Sequence, residues 1–146
     1  MNRRESLAAL GAATAGLTTL ISGTARGDDT QHNDHFARCA KACADCQVHC
    51  DSCFRHCATQ LAAGKKEHEK SMHTCVDCAE CCKVAATLSA RQSPFAKFAC
   101  ECCAKCNDEC AAACEKFPND KHMAACAKAC RDCAKACREM IEHMAH

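Results

Sequence analysis

The chain has 146 residues, of which 20 are cysteine, and it contains neither tryptophan nor tyrosine. Its 19 basic and 18 acidic residues nearly balance and form no run of like charge, which argues against a nucleic acid or a membrane surface as partner. This length predicts one main domain, and so high a cysteine share predicts a special role for sulfur.

Residues 1–25 have the pattern of a cleaved export signal. Arg3 and Arg4 precede an apolar run over 7–21 that is too short, and too rich in Gly, Ala and Thr, to span a membrane. The paired arginines resemble a twin-arginine signal, although Ser6 stands where that pattern prefers Phe. The alternative, an amphipathic helix, lacks a polar face. We therefore expect export to the periplasm or another extracytoplasmic space, and a mature chain with 17 basic and 17 acidic residues.

The first predicted helix carries the clearest pattern in the chain. After a polar leader at 26–33, it begins near Asp34, a good N-cap residue, and ends near Ala63, before Gly64. Its cysteines follow at steps of 4, 3, 4, 3 and 4 residues. That spacing places them in a stripe about 80° wide, where a soluble helix usually carries Leu, Ile and Val. The stripe consists of Cys39, Cys43, Cys46, Cys50, Cys53 and Cys57.

Three further helices are predicted, and each also carries cysteines. The second spans about 66–89, and the third runs from the start signal Ser93-Pro94 to about Lys116. The segment 117–120 breaks the third helix and ends in Asp120, a good N-cap residue for the fourth. The fourth helix runs to about 144 and spaces its Met and Cys residues at steps of 3 and 4. These helices carry Cys75, Cys78, Cys81, Cys82, Cys100, Cys102, Cys103, Cys106, Cys110, Cys114, Cys126, Cys130, Cys133 and Cys137.

Four helices with short connections predict an all-α fold, an antiparallel up-down-up-down four-helix bundle with a cysteine-lined core, over residues 34–146. No segment alternates apolar and polar residues, so no strand is predicted. Cys81 and Cys102 lie roughly 90–100° from the centres of their stripes, which predicts a position at a helix seam or near the surface. Only fifteen larger apolar side chains follow residue 26, which is few for an ordinary core.

Disulfides and soft metal ions are the two chemistries that explain such a core. Many cysteines in an exported protein usually form disulfides, but cysteines three or four apart on one helix do not pair readily, so bridges would have to join different helices. Thiolates also select Cu(I), zinc and iron–sulfur clusters. One Cu⁺ in place of each thiol proton leaves the core neutral, whereas a divalent ion shared by four thiolates leaves negative charge. The residues favour storage of many monovalent ions, with a disulfide-stapled or redox protein and zinc or cadmium sequestration as alternatives.

The recurrence of three- and four-residue cysteine steps on every helix resembles the copper storage proteins, a family of Cys-rich four-helix bundles, over about 34–144. The resemblance implies many Cu(I) ions per chain and a homo-oligomer, often a tetramer. A copper-receiving enzyme or chaperone is the expected partner of such a store. The twin-arginine signal resembles the exported branch of the family, whose members tend to have fewer cysteines than this chain. No nucleophile–base pair is evident, so we expect no enzyme activity.

Histidine and methionine side chains gather at both ends of the predicted bundle. Thioether and imidazole bind Cu(I) more weakly than thiolate does, so they suit metal uptake and hand-over, while gap-filling is the alternative for the methionines. His49 and His56 lie off the stripe and are expected on a solvated face. One end gathers His35, Met140, His143 and Met144, and the other gathers His68, Met72, His73, His122 and Met123.

Overall fold

The structure, a computed structural model, describes the backbone of residues 27–144 and the side chains of residues 34–144. Its helices are α1 (Gly27–Ala62), α2 (Glu69–Ala90), α3 (Ala96–Cys114) and α4 (Lys121–His143), with a short 3₁₀ turn at Lys66–His68. No strand occurs within the described backbone, so the predicted all-α class is confirmed. The export signal predicted at 1–25 lies outside the described residues.

The four helices form a closed ring of neighbours. Each helix packs against the next one in the sequence, and α4 returns to pack against α1. Between residues 27 and 144, α1 makes no close backbone contact with α3, and α2 makes none with α4, so these pairs lie diagonally across the axis. This arrangement confirms the predicted up-down-up-down bundle. None of the described helices is both long enough and apolar enough to cross a membrane.

Helix α1 begins earlier than its sequence indicated. Its backbone is helical from Gly27, so the prediction of a polar leader over 26–33 and of a helix start near Asp34 is wrong at this boundary. Acidic residues at 28 and 29 favour the positive end of the helix dipole, and 28–33 contain neither proline nor glycine. Polar composition alone therefore does not end the helix.

Helices α1 and α2 are each followed by a residue with a positive φ angle. Gly64 has a φ of 85°, and its amide donates to the carbonyl of Leu61 at 2.9 Å, which caps α1 as predicted. Gln92 has a φ of 50°, and its amide donates to the carbonyl of Ser89 at 2.9 Å. The sequence does not predict a helix end at Gln92, because residues with a Cβ seldom adopt this left-handed conformation.

The sequence predicted the amino end of α4 correctly but placed the amino end of α3 too early. Asp120 caps α4 as predicted, because its side chain accepts hydrogen bonds from the amides of His122 at 2.9 Å and Met123 at 3.2 Å. Ser93 accepts from the amide of Phe95 at 3.2 Å, but α3 begins only at Ala96. Ser93 therefore caps a turn that precedes the helix.

Sulfur and small side chains fill the bundle axis. Seventeen of the 20 cysteines are buried, and Met123 and Met140 are the largest fully buried side chains. Alanines occupy many of the remaining buried positions. Large apolar side chains lie on the outside instead, with Val48 67% exposed and Phe98 66% exposed. The thiols, and not branched aliphatic groups, therefore take the position of a hydrophobic core.

Candidate metal centre

The helices present their predicted cysteine stripes to the axis. All the cysteines of α1 and α4 are at most 1% exposed, which is the arrangement that their three- and four-residue steps predict. Helix α2 adds three buried thiols and α3 adds four. These seven are Cys75, Cys78, Cys82, Cys100, Cys103, Cys110 and Cys114.

The buried sulfur atoms contact one another across the helices. The Sγ atoms of Cys39 and Cys100 lie 3.5 Å apart, which joins α1 to α3 across the bundle. On the next level, Cys43 lies 3.6 Å from Cys137 and 3.6 Å from Cys133, which joins α1 to α4. All twenty cysteines are free thiols in this structure. The core is therefore a continuous lattice of thiols and not a set of disulfide bridges.

Several groups of buried thiols are close enough to share one metal ion. Within each group, all sulfur atoms lie within 4.8 Å of one another. Metal–sulfur bonds of about 2.3 Å fit such spacing after only small side-chain movements. Cys50, Cys126, Cys130 and Cys137 each belong to two groups, so one sulfur can bridge neighbouring ions. The groups include Cys43–Cys103–Cys133–Cys137, Cys46–Cys50–Cys78–Cys130, Cys50–Cys110–Cys126–Cys130, Cys53–Cys75–Cys114–Cys126 and Cys39–Cys100–Cys137.

One polar side chain, Asn107, lies fully buried among these thiols. Its Oδ1 accepts a hydrogen bond from the thiol of Cys46 at 3.0 Å, and its Nδ2 donates to the carbonyl of Cys103 at 2.9 Å. The same Nδ2 lies 3.4 Å from the sulfur of Cys82 and 3.5 Å from that of Cys133. Asn107, on α3, therefore contacts the other three helices at the middle of the thiol core, and so joins all four.

Asn107, and not Cys106, continues the stripe of α3. The residues of that stripe follow Cys100 at steps of 3, 4, 3 and 4, and the second step arrives at position 107. Cys106 is half-buried on the α2 side of α3, so the prediction that it lines the core is wrong. The predicted off-core positions of Cys81 and Cys102 are confirmed, because Cys81 is half-buried and Cys102 is exposed. The position of Asn107 could have been found from the rhythm, but not from a search for cysteines.

Thiols packed so closely change one another's pKa. Hydrogen bonding with Cys103 lowers the pKa of Cys82 to about 5. Hydrogen bonding with Cys110 and Cys126 raises the pKa of Cys130 above the range of an ordinary thiol, and burial adds to the rise. A thiolate here is thus stabilised by neighbours that stay protonated. A cation that binds a protonated thiol here has to displace its proton.

The first end of the bundle brings two predicted histidines together. The imidazole rings of His35 and His143 stack with their centroids 4.4 Å apart and are half-buried. Met140 is fully buried one turn earlier on α4, and Met144 is half-buried just after the helix. The Oγ of Ser89 lies 3.6 Å from the sulfur of Cys100, which closes the thiol core at this end.

The second end brings a methionine into contact with the thiols. The Sδ of Met123 accepts from the thiols of Cys53 at 3.5 Å and Cys57 at 3.6 Å. His68 is only 4% exposed, and its ring stacks on that of Phe117 at 4.2 Å. Its Nδ1 has no hydrogen-bond partner among the described residues, so a lone pair or proton stays unsatisfied there. Buried sulfur and a buried imidazole therefore both lie at this end.

A histidine pair flanks the same end from outside. His56 and His122 stack with their ring centroids 4.8 Å apart, and His56 Nε2 lies 2.7 Å from Asp120 Oδ2. The prediction of a solvated His56 is wrong, since it is half-buried against the start of α4, whereas His49 is exposed as predicted. Met72 is half-buried and His73 is exposed, and neither has a described contact with the histidine pair.

Comparison with known families agrees with this site. A family model described as copper storage protein matches residues 29–142, a range that includes all 20 cysteines. The uncharacterized cysteine-rich protein YhjQ from Bacillus subtilis is 38% identical to the chain over 93 residues. Those residues make up 62% of this chain and 82% of that protein.

Solved structures with the same architecture contain copper. The Cu(I)-bound copper storage protein BsCsp3 superposes with a TM-score of 0.63 at 34% identity, over 70% of this chain and 94% of that chain. A cytosolic copper storage protein from Streptomyces lividans, described with five coppers, superposes with a TM-score of 0.71 at 25% identity, over 77% of this chain and 97% of that chain.

Proposed function

The chain belongs to the copper storage protein family, and we propose that its bundle stores copper as Cu(I), many ions per chain, on the thiolates of its core. It is a storage protein and not an enzyme. The observation that carries this conclusion is the set of overlapping groups of buried cysteines whose sulfur atoms lie within 4.8 Å of one another. A protein with one catalytic ion needs one such group, whereas a store uses all of them.

The charge of the core explains the preference for Cu(I). The thiols are buried and most of them are protonated, so each metal ion has to replace protons without leaving uncompensated charge. A monovalent ion that replaces one proton keeps the core neutral. Zinc also binds thiolate sulfur, but four thiolates around one divalent ion carry a net negative charge into a buried site. Soft sulfur ligands together with a neutral core therefore favour Cu(I).

A competition titration tests this function. The reduced protein is titrated with Cu(I) under anaerobic conditions in the presence of a chromogenic Cu(I) chelator. The chelator should stay metal-free until many ions per chain have bound, because the thiolate sites fill first. Colour that develops from the first equivalents onward would contradict storage. Zinc, titrated in the same way against a zinc indicator, should saturate at far fewer ions per chain.

We also propose that the chain is exported through the twin-arginine pathway. Support comes from Arg3 and Arg4 ahead of the apolar run at 7–21. One of the similar proteins is described as cytosolic, so the location needs its own test. The full chain with Arg3→Lys and Arg4→Lys should accumulate in the cytoplasm with residues 1–25 attached. Equal export of the wild-type chain and this variant would contradict the proposal.

A homo-oligomer is the assembly that we propose, with a tetramer as the form implied by the family resemblance. The large apolar side chains on the surface support it, since Phe95 is 65% exposed and Phe98 is 66% exposed. Sedimentation velocity of the wild-type protein and of Phe95→Ser/Phe98→Ser should show a shift towards the monomer in the variant. A copper-receiving enzyme or chaperone completes the proposal as the recipient of the stored ions.

A further inference from the structure

Three thiols form a cluster outside the core, on the seam between α2 and α3. We name Cys81, Cys102 and Cys106 the peripheral trio. The sulfur of Cys81 lies 3.2 Å from that of Cys106 and 3.8 Å from that of Cys102. Cys81 and Cys106 are half-buried, and Cys102 is exposed. The trio therefore combines the sulfur density of the core with access to solvent.

The sulfur–sulfur contacts of the peripheral trio are separate from those of the core lattice, although Cys81 and Cys106 pack against the core. Among the described residues, the hydrogen-bonding sulfur contacts of the trio join its members to one another and to no core thiol. The adjacent Cys82 turns instead to the axis, where its sulfur lies 3.7 Å from that of Cys103. An ion held by the trio would therefore share no thiolate with an ion in the core.

We propose that the peripheral trio is a distinct Cu(I) site that holds a single ion and exchanges it with solvent-borne acceptors faster than the core does. Its chemistry rests on the proposed function only for the identity of the metal. With metal–sulfur bonds of about 2.3 Å, three sulfurs around one ion lie about 4.0 Å apart. The two sulfur–sulfur distances of 3.2 and 3.8 Å are within about 1 Å of this value, so the three thiolates can bind one ion through side-chain movement alone.

The surroundings of the trio favour a cation and keep it reachable. A surface groove at the seam is lined by Thr74, Asp77, Lys105, Cys106 and Glu109, so two carboxylates and one ammonium group lie beside the thiol and leave a net negative charge there. A thiol acceptor can approach the exposed Cys102 directly. The core offers no comparable access, since its thiols are at most 1% exposed.

The test compares two full-length variants that each lose three thiols. In the first, the peripheral trio is replaced through Cys81→Ser, Cys102→Ser and Cys106→Ser. In the matched control, a buried three-thiol group is replaced through Cys39→Ser, Cys100→Ser and Cys137→Ser. Each protein is loaded with Cu(I) without oxygen, counted for copper, and mixed rapidly with excess chromogenic Cu(I) chelator. Circular dichroism confirms that both variants remain helical.

The wild-type protein should release copper in a fast phase of about one ion per chain, followed by a much slower phase from the core. The peripheral variant should lose the fast phase and about one ion of capacity, while the control should keep the fast phase and lose capacity from the slow one. A fast phase of unchanged amplitude in the peripheral variant would overturn the proposal. So would peptide mapping that finds Cys81 and Cys106 joined as a disulfide in protein prepared without oxygen.

The same data separate this proposal from the storage function. If all three proteins bind many copper ions and release them at the same rates, the storage function stands and the proposal of a peripheral site is contradicted. If the wild-type chain binds a single copper ion and the peripheral variant binds none, the peripheral site is supported and storage in the core is contradicted.

Discussion

The side-chain oxygen of Asn107 accepts a hydrogen bond from the thiol of Cys46, with 3.0 Å between the two atoms. Because the same amide also donates to a carbonyl and contacts three further sulfurs, Asn107 organises the metal-free core at mid-bundle. A core of thiols alone would have only weak donors and acceptors to fix its geometry. The contact gives the bundle a specific structure before metal arrives.

Replacing Asn107 with alanine should therefore weaken the metal-free protein. We expect the free energy of unfolding to fall by about 1–3 kcal/mol, because buried partners lose their hydrogen bonds and a cavity forms. Urea unfolding of the reduced protein measures the change. Asn119→Ala, at an exposed loop position, is the control and should change the value by less than about 0.5 kcal/mol. Equal effects at both positions would contradict the role of Asn107.

The cap of α4 makes stability depend on pH. Burial raises the pKa of Asp120, but hydrogen bonds from His56 and from the amides of Met123 and His122 outweigh it and leave the pKa below its ordinary value. The stabilisation from a carboxyl of lowered pKa is present above the unfolded pKa and is lost as the pH falls through the folded pKa.

Asp120→Ala should accordingly destabilise the protein by about 0.5–2 kcal/mol at neutral pH, and the difference from wild type should shrink in acid. Thermal unfolding over a pH series measures it. Asp45→Ala removes an exposed pair with Lys41 and should cost less than about 0.5 kcal/mol at every pH. A penalty for Asp120→Ala that grows towards acid pH would contradict this account.

Met123 should act as a copper ligand as well as a packing group. Its Sδ lies within 3.6 Å of two thiols, whereas Met140, equally buried at the other end, has no described hydrogen-bonding contact with a thiol. Leucine preserves most of the volume, so Met123→Leu and Met140→Leu should each cost less than about 1.5 kcal/mol in stability. Only Met123→Leu should lower the number of ions kept against a competing chelator. Matching retention in the two variants would indicate gap-filling at both ends.

Replacing Cys43, Cys50, Cys130 and Cys137 with serine should lower copper capacity by several ions per chain. These thiols line the axis, and three of them belong to two overlapping groups each, so their loss disturbs more than one site. Serine keeps the size of the side chain but is a hard, weakly acidic ligand. Copper counts on loaded protein measure the loss, and Cys81→Ser/Cys102→Ser is the control with the smaller expected effect. Similar losses of copper in the two variants would mean that Cys81 and Cys102 are also ligands of the core ions.

Helical periodicity was sufficient to predict most of this core. The stripes of α1 and α4 repeat at three- and four-residue steps without interruption, so both the helix and its inward face follow from the spacing. The caps at Gly64 and Asp120 were predictable because their residue types have specific backbone and hydrogen-bonding preferences.

The remaining features depend on tertiary contacts that no local pattern contains. Asn107 is polar, and only the rhythm of its helix reveals that it lies in the core, while Cys106 shares the residue type of the core but not its phase. His56 is half-buried because the start of α4 packs beside it. The early start of α1 at Gly27 reflects a polar segment that has no helix breaker, and polarity does not distinguish such a helix from a coil.

Native mass spectrometry of the reduced protein, loaded with Cu(I) without oxygen, tests the storage account most directly because it counts ions and displaced protons together. The account predicts a number of ions of the order of the 20 cysteines, with each ion adding the mass of copper minus that of one proton. Saturation at one or two ions per chain would contradict it, as would copper that adds its full mass without displacing protons.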